Sequence, residues 1–356
     1  MGREKNIGAK TLNLLGAGLM TDTMTDTNLP ENIRISTGSA ILLGLLRGKL
    51  DVKPTTVYLL TCRDEKCSAN CSFCPQARES RGRADRLSRV TWPIFSTREV
   101  VDLIGRTAIE ETIRRVCIQT LNYPEVFDDL LNLVKKIKSQ IDVQVSVSCQ
   151  PSNPERLKTL AEAGINRISI ALDAVTEKIF DKVKGQNVSG PYSWERQHKA
   201  LNEAVKVFGE GSVSTHLIVG LGETERELCQ KIQWCVDSGV HPGLFAFTPI
   251  LGTALEDRNP PSLNHYRRAQ VAHYLLTHRK RRVENMTFDN AGRLTHFGIS
   301  EENLREIVES GEPFITSGCP GCNRPYYNER PGGILYNYPK QPEFEDIAEA
   351  KKLLGV

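Results

Sequence analysis

The sequence predicts an α/β fold in which repeated strand–helix units wrap into a full or partial (β/α) barrel of the TIM type. Three observations point there. From residue 55 onward, short β-branched runs alternate with longer amphipathic stretches. Seven such runs follow in order, with room for a crossover after each. A dense cysteine cluster falls directly after the first run, and the C-terminal strand ends are where such folds gather their chemistry. An open doubly wound sheet is the alternative topology.

The predicted strands are TTVYLLT (55–61), RRVCIQT (114–120), VQVSVS (143–148), RISIAL (167–172), VSTHLIVG (213–220), GLFAFTP (243–249) and ENMTFD (284–289). Helical patterns fill most gaps between them. In NPERLKTLAEAG, Asn153 reads as the N-cap before Pro154 and Gly164 as the stop. Three regions follow: an N-terminal helical segment (1–50) with patches such as AILLGLLRGKL, the barrel (51–290), and a C-terminal extension (291–356). The Gly/Pro-rich tail of that extension, SGCPGCNRPYYNERPGGILYNYPKQP, holds too many turn formers for a long element.

The opening MGREKNIGAKTLNLLGAGLM reads as an amphipathic helix and not as a secretory signal, because Asn13 interrupts its apolar run and no small-residue cleavage site follows. Asn6 stands where an acylation motif needs Ser or Thr. No stretch reaches the roughly 20 apolar residues that span a bilayer. Charge is nearly balanced, 46 basic against 43 acidic residues, so composition carries no footprint of a nucleic-acid binder. A cytoplasmic location is expected. In that reducing setting the ten cysteines point to metal binding or catalysis more than to disulfides.

The stretch TCRDEKCSANCSFCPQ (61–76) carries Cys62, Cys67, Cys71 and Cys74. Three thiolates on one compact loop are too few for a closed structural zinc site, but they suit a cubane iron–sulfur cluster with one iron left open. A four-cysteine zinc site that recruits Cys62 is the alternative.

Cys67-x3-Cys71-x2-Cys74, with Phe73 before the last cysteine, resembles the defining loop of the radical S-adenosylmethionine superfamily. The resemblance implies that the three thiolates hold a 4Fe-4S cluster whose open iron binds S-adenosylmethionine. It also implies reductive cleavage of that ligand to a 5′-deoxyadenosyl radical, which takes hydrogen from an unactivated carbon. In ALD (171–173), Asp173 matches an acidic residue that relatives use on S-adenosylmethionine. IVGLGET (218–224) is similar to the family's turn near the adenosine, which places Gly220, Gly222 and Glu223 among the cofactor-binding positions. Gln119-Thr120-Leu121 stands where many members carry Gly-Gly-Glu.

Over roughly residues 50–290 the sequence most resembles the biotin synthase branch. Biotin synthases hold a second cluster with three cysteines and an arginine. Here Cys117 matches the first place, Cys149 is displaced toward its strand end, and Ser214 and Phe288 fill the others. That cluster is therefore not expected, and Cys117 and Cys149 read as small hydrophobes facing the barrel core. Cys62, Cys319 and Cys322 remain, and the expectation is that they meet above the barrel mouth and hold an auxiliary 4Fe-4S cluster that supplies sulfur. Ser317, Asn323 and Arg324 are candidates for a fourth ligand. A tail clipped by zinc is the alternative.

TSGCPGCNRPYYNERPGG (316–333) is similar to the tail of one subunit of the two-component, archaeal-type lipoyl synthases. That resemblance implies sulfur insertion into the octanoyl-lysine of a lipoyl carrier protein, such as the glycine cleavage H protein or an E2 lipoyl domain. A sister radical S-adenosylmethionine subunit and an electron donor such as ferredoxin are the implied partners, with no role for membrane or nucleic acid. A biotin synthase-like or other radical enzyme is the alternative within the class. From another class, the alternative is a zinc-stabilised nucleic-acid-binding protein. Cys229 and Cys235 read as packing residues, His216 as pointing into the barrel, residues 278–282 as a solvated basic helix end, and the basic run 78–89 as a guide for an acidic carrier.

Overall fold

The computed structural model describes residues 28–109, 113–150, 153–330 and 332–356, so the expected helix at the start of the chain lies outside the described residues. The chain begins with β1 (Asn32–Ile35), α1 (Thr37–Leu42) and β2 (Thr56–Thr61). A long loop leads to the small hairpin β3 (Arg86–Leu87) and β4 (Val90–Thr91), then to β5 (Ile94–Ser96) and α2 (Thr97–Ile109). There follow β6 (Arg115–Gln119), α3 (Val126–Gln140), β7 (Gln144–Ser148), α4 (Pro154–Glu162), β8 (Arg167–Ser169), α5 (Glu177–Val183) and α6 (Trp194–Phe208). Next come β9 (Val213–Val219), α7 (Glu225–Asp237), β10 (Val240–Ala246) and α8 (Leu263–Thr277). The elements β11 (Thr287–Phe288), β12 (Leu294–His296), α9 (Glu301–Glu309) and α10 (Phe344–Leu354) finish the chain.

The main sheet has the order β10-β9-β8-β7-β6-β2-β1-β5. From β2 to β10 the neighbours are parallel and in chain order. A doubly wound sheet needs a point where that order reverses, and there is none, so the α/β succession is the barrel type. The hydrogen-bonded ladder ends at β10 on one side and at β5 on the other.

Strand alternation divides the side chains. Val57, Leu59, Val116, Ile118, Val145 and Val147 are fully buried and meet helices such as α3, whose Leu130, Leu133, Val134 and Ile137 repeat at helical spacing on one face. Residues of the opposite parity, Tyr58, Cys117, Gln119, Ser146, Ser214 and His216, line an interior cavity. The outward face thus supplies the core, and the inward face supplies the chemistry.

Three expectations needed correction. The segment 1–50 is not purely helical: NIRI forms β1, which pairs antiparallel with both β2 and β5. ENMTFD is not a barrel strand; Val283–Asn285 makes a 3-10 turn, and Thr287–Phe288 pairs only with β12. Its apolar content is too low for a strand covered on both faces, and Asp289 to Gly292 closes a local hairpin. The last parallel strand begins three residues earlier than expected, at Val240. It carries Pro242, which an edge strand tolerates because the missing N–H is not needed by a neighbour.

Candidate active site

The cysteine loop leaves the C-terminal end of β2 and is tied down by its own backbone. Cys67 N–H donates to Gln76 O (3.0 Å), Cys74 N–H to Cys71 O (3.0 Å) and Ala77 N–H to Cys74 O (3.1 Å). The Lys66 ammonium donates to three carbonyls, of Pro75 (3.0 Å), Gly82 (2.9 Å) and Ser80, closing the loop like a clasp. The Gln76 amide bonds the carbonyls of Ala84 and Arg86, each at 2.6 Å. Donors also face the sulfurs. Asn122 N–H points at Cys67 Sγ (3.1 Å), and the N–H groups of Gln76 and Ala77 favour a charged Cys74. Burial pushes the Cys74 thiol up to about 12 and the Cys71 thiol higher still, while the Lys184 ammonium pulls Cys71 back down. Such thiols become thiolates only when a cation binds them.

Asp173 follows β8 and bridges to Leu217 of β9, with its backbone in the left-handed region at φ +65°. Its Oδ2 accepts from Lys184 Nζ at 2.7 Å, and the Lys184 side chain is only 2% exposed. Lys184 also bonds Ala171 O and lies 4.9 Å from the centroid of the Tyr192 ring, whose hydroxyl accepts from the Asn122 amide (2.7 Å). Phe73, Cys74, Asp173, Ile218, Phe247 and Tyr327 are among the residues lining an upper cavity at the C-terminal strand ends. Gly220, Gly222 and Glu223 do not line it. The Glu223 carboxylate instead accepts the N–H groups of Gly220 (2.6 Å) and Leu221 (2.9 Å), bracing the turn from beneath. Burial raises the Glu223 pKa against the pull of those bonds. Gly220 at φ +109° and Gly222 at φ +119° need glycine for the path they take.

A second, lower cavity continues from the first toward the N-terminal strand ends, sharing Gln119, Ser148, His216, Phe245 and Tyr327 with it. Cys117, Cys319 and Cys322 line this lower part. The expected meeting of Cys62 with the tail cysteines above the barrel mouth is therefore corrected. The tail turn is fastened at the opposite end of β2, where Thr55 N–H donates to Asn323 Oδ1 (3.0 Å) and Thr55 Oγ1 to Gly321 O (2.6 Å). Cys62 lines neither cavity; burial raises its thiol pKa while Arg34 lowers it. Cys117 does face the interior, but beside two other thiols and not in an apolar core. Cys229 and Cys235 are buried packing residues as expected, and Cys149 packs against the core. His216 points inward, 3.2 Å from Ser169 Oγ, and burial lowers its pKa to about 4, so it is neutral at ordinary pH.

Residues 65–235 match the Radical SAM superfamily. That match takes in the cysteine loop, Asp173 and the turn after β9, a little under half of the chain. Among curated proteins, the biotin synthase of Synechococcus elongatus is 26% identical over 204 residues, covering 56% of this chain and 60% of that protein. A probable GTP 3',8-cyclase of Thermococcus kodakarensis is 26% identical over 174 residues, covering 49% of this chain and 51% of that protein. The chain thus matches between half and three fifths of the length of these relatives. A solved structure of methylornithine synthase aligns with 68% of this chain and 67% of its own, at 16% identity and a TM-score of 0.48.

The radical SAM family implies a 4Fe-4S cluster and S-adenosylmethionine. Among the described residues, no three His, Cys, Asp or Glu side chains converge on a single metal ion. The loop suits a cubane, in which each thiolate binds its own iron, and the N–H donors at Cys67 and Cys74 with the cation beside Cys71 suit three charged sulfurs. Sequence reasoning missed Lys66, Asn122, Lys184 and Tyr192. A lysine just past the end of a helix, as Lys184 is, carries no local sign that it will be buried against a carboxylate eleven residues away.

Proposed function

We propose that this chain is a radical SAM enzyme that inserts sulfur at an unactivated carbon, acting as one subunit of a two-component lipoyl synthase on an octanoyl-lysine carrier domain. One observation carries the reading: the cysteine loop reaches the upper of two adjoining interior cavities through Cys74, and a second group of three thiols, Cys117, Cys319 and Cys322, lines the lower one. A substrate lying between them would have a radical source on one side and a sulfur source on the other. The presence of biotin synthases among the relatives supports the same reaction class.

Cys67, Cys71 and Cys74 would hold the radical-generating cluster, and Phe73 and Asp173 would flank S-adenosylmethionine in the upper cavity. Held there, these groups would supply hydrogen abstraction and a second cluster would supply sulfur, so that a C–H bond would be exchanged for a C–S bond, with the hydrogen going to 5′-deoxyadenosine and the surplus electron to the cluster iron. Lys184 holds the Asp173 carboxylate in place, and Glu223 fixes the turn beside it. At the waist, neutral His216 and the Phe245 and Tyr327 rings give an apolar passage suited to a hydrocarbon chain and exclude water from a reactive carbon. Gln119 is the amide that could orient it.

Anaerobic incubation with octanoylated peptide, reductant and S-adenosylmethionine should yield peptide carrying one added sulfur by mass spectrometry. Consumption of S-adenosylmethionine with the peptide unchanged would reject the substrate. A colourless, iron-free, zinc-containing preparation would reject the class.

A further inference from the structure

The lower cavity identifies a set of sulfurs that sequence spacing could not. The turn Cys319-Pro320-Gly321-Cys322 is closed by Cys322 N–H donating to Cys319 O (2.9 Å), with Gly321 at φ +75°. Asn323 bonds Lys53 O (2.8 Å) and Thr55, fixing the turn below β2. Both thiols line the cavity, and so does Cys117 from the middle of β6. Cys117 is in register with Tyr58, whose hydroxyl lies 3.0 Å from Cys322 Sγ. Cys62 lies four residues further along, about 13 Å at the rise of a strand.

The surroundings of these sulfurs are wrong for three idle thiols. The Gln119 amide donates to Cys117 Sγ at 3.1 Å. Ser146 Oγ is buried, lines the same cavity and faces Cys117. The Arg324 guanidinium also lines it, 3.9 Å from the centroid of the Phe245 ring. A thiol is a weak acceptor that needs neither amide donors nor a cation. A thiolate bound to iron accepts such bonds, which tune the cluster.

We propose that Cys117, Cys319 and Cys322 are the cysteine ligands of the auxiliary 4Fe-4S cluster, held at the N-terminal end of the barrel interior, with Cys62 outside the set. This rests on the reading above that a second cluster exists. It replaces the ligand set expected from spare cysteines, and it places the sulfur source across the substrate cavity from the radical source.

The test counts iron and sulfide in anaerobically reconstituted full-length protein. In the otherwise native chain, Cys117→Ala and Cys117→Ser should each lose about half of both. The remaining cluster should keep its electron paramagnetic resonance response to S-adenosylmethionine, which a misfolded chain would lose. In the Cys67→Ala/Cys71→Ala/Cys74→Ala chain, the residual iron should vanish when Cys117→Ala is added and persist when Cys62→Ala is added. If Cys62→Ala removes that iron and Cys117→Ala does not, the ligand set is overturned while the second cluster stands. Full iron in both Cys117 variants also overturns it. A triple variant with no iron removes the second cluster, and the sulfur-insertion reading with it.

Discussion

Lys184 shows how much one side chain can decide. Its ammonium is nearly inaccessible and is satisfied by Asp173, Ala171 O and the Tyr192 ring. Removing it leaves a buried carboxylate without its partner, which costs about 3–5 kcal/mol. Lys184→Met should therefore lower unfolding free energy in denaturant by that order and weaken S-adenosylmethionine binding, with Asp173→Asn/Lys184→Met partly restoring stability. An unchanged denaturation midpoint would show that the pair is not formed. At this scale the sequence was legible where spacing is local. Cys67, Cys71 and Cys74 stand on one loop, as read. It was not legible where contact spans the chain: Cys117 and Cys322 are about two hundred positions apart, and no periodicity links a central strand to an irregular tail.

Among the elements, the glycine turn after β9 is the most constrained. A Cβ at Gly220 would lie 2.9 Å from Pro261 Cδ and 3.2 Å from Phe247 Cβ, on a backbone at φ +109°. Gly220→Ala combines strain with overlap and should destabilise the protein by about 2 kcal/mol or more, read from thermal unfolding. Strands β2, β6, β7 and β9 could be recognised in advance because β-branched and aliphatic residues recur along them, packed into the core on the outward face. The pair β1 and β5 could not, since four and three residues of mixed polarity carry little pattern. The eighth strand stops at Ser169, although RISIAL runs on, because the chain must turn out to deliver Asp173.

For the whole molecule, acid is the expected weak point. Burial holds His216 and His241 near pH 4 and His273 near 3, all below the ordinary imidazole value. The unfolded chain therefore binds more protons than the folded one between about pH 6.5 and 4, and stability falls as pH falls through that window. Each histidine adds up to about 1.4 kcal/mol per pH unit there. Melting temperatures at successive pH values should decline steadily below pH 6.5, and a flat profile down to pH 5 would contradict the neutral assignments. The basic run also belongs to this scale. Arg83 is occupied by Asp85, whereas Arg81 is exposed beside the cysteine loop. Arg81→Glu should slow turnover of an acidic carrier more than uncoupled S-adenosylmethionine cleavage, and equal losses would argue against docking there.

The last strand carries a further consequence. Leu244 N–H is taken by the Ser317 hydroxyl (2.8 Å) and Leu244 O by Arg324 (3.3 Å), while Pro242 has no N–H to offer. The C-terminal segment therefore works as a selvedge that keeps the fabric from unravelling or being sewn to its neighbours. A chain ended at Ile315 should self-associate on size-exclusion chromatography, and if it remains a well-behaved single species, that margin was never vulnerable.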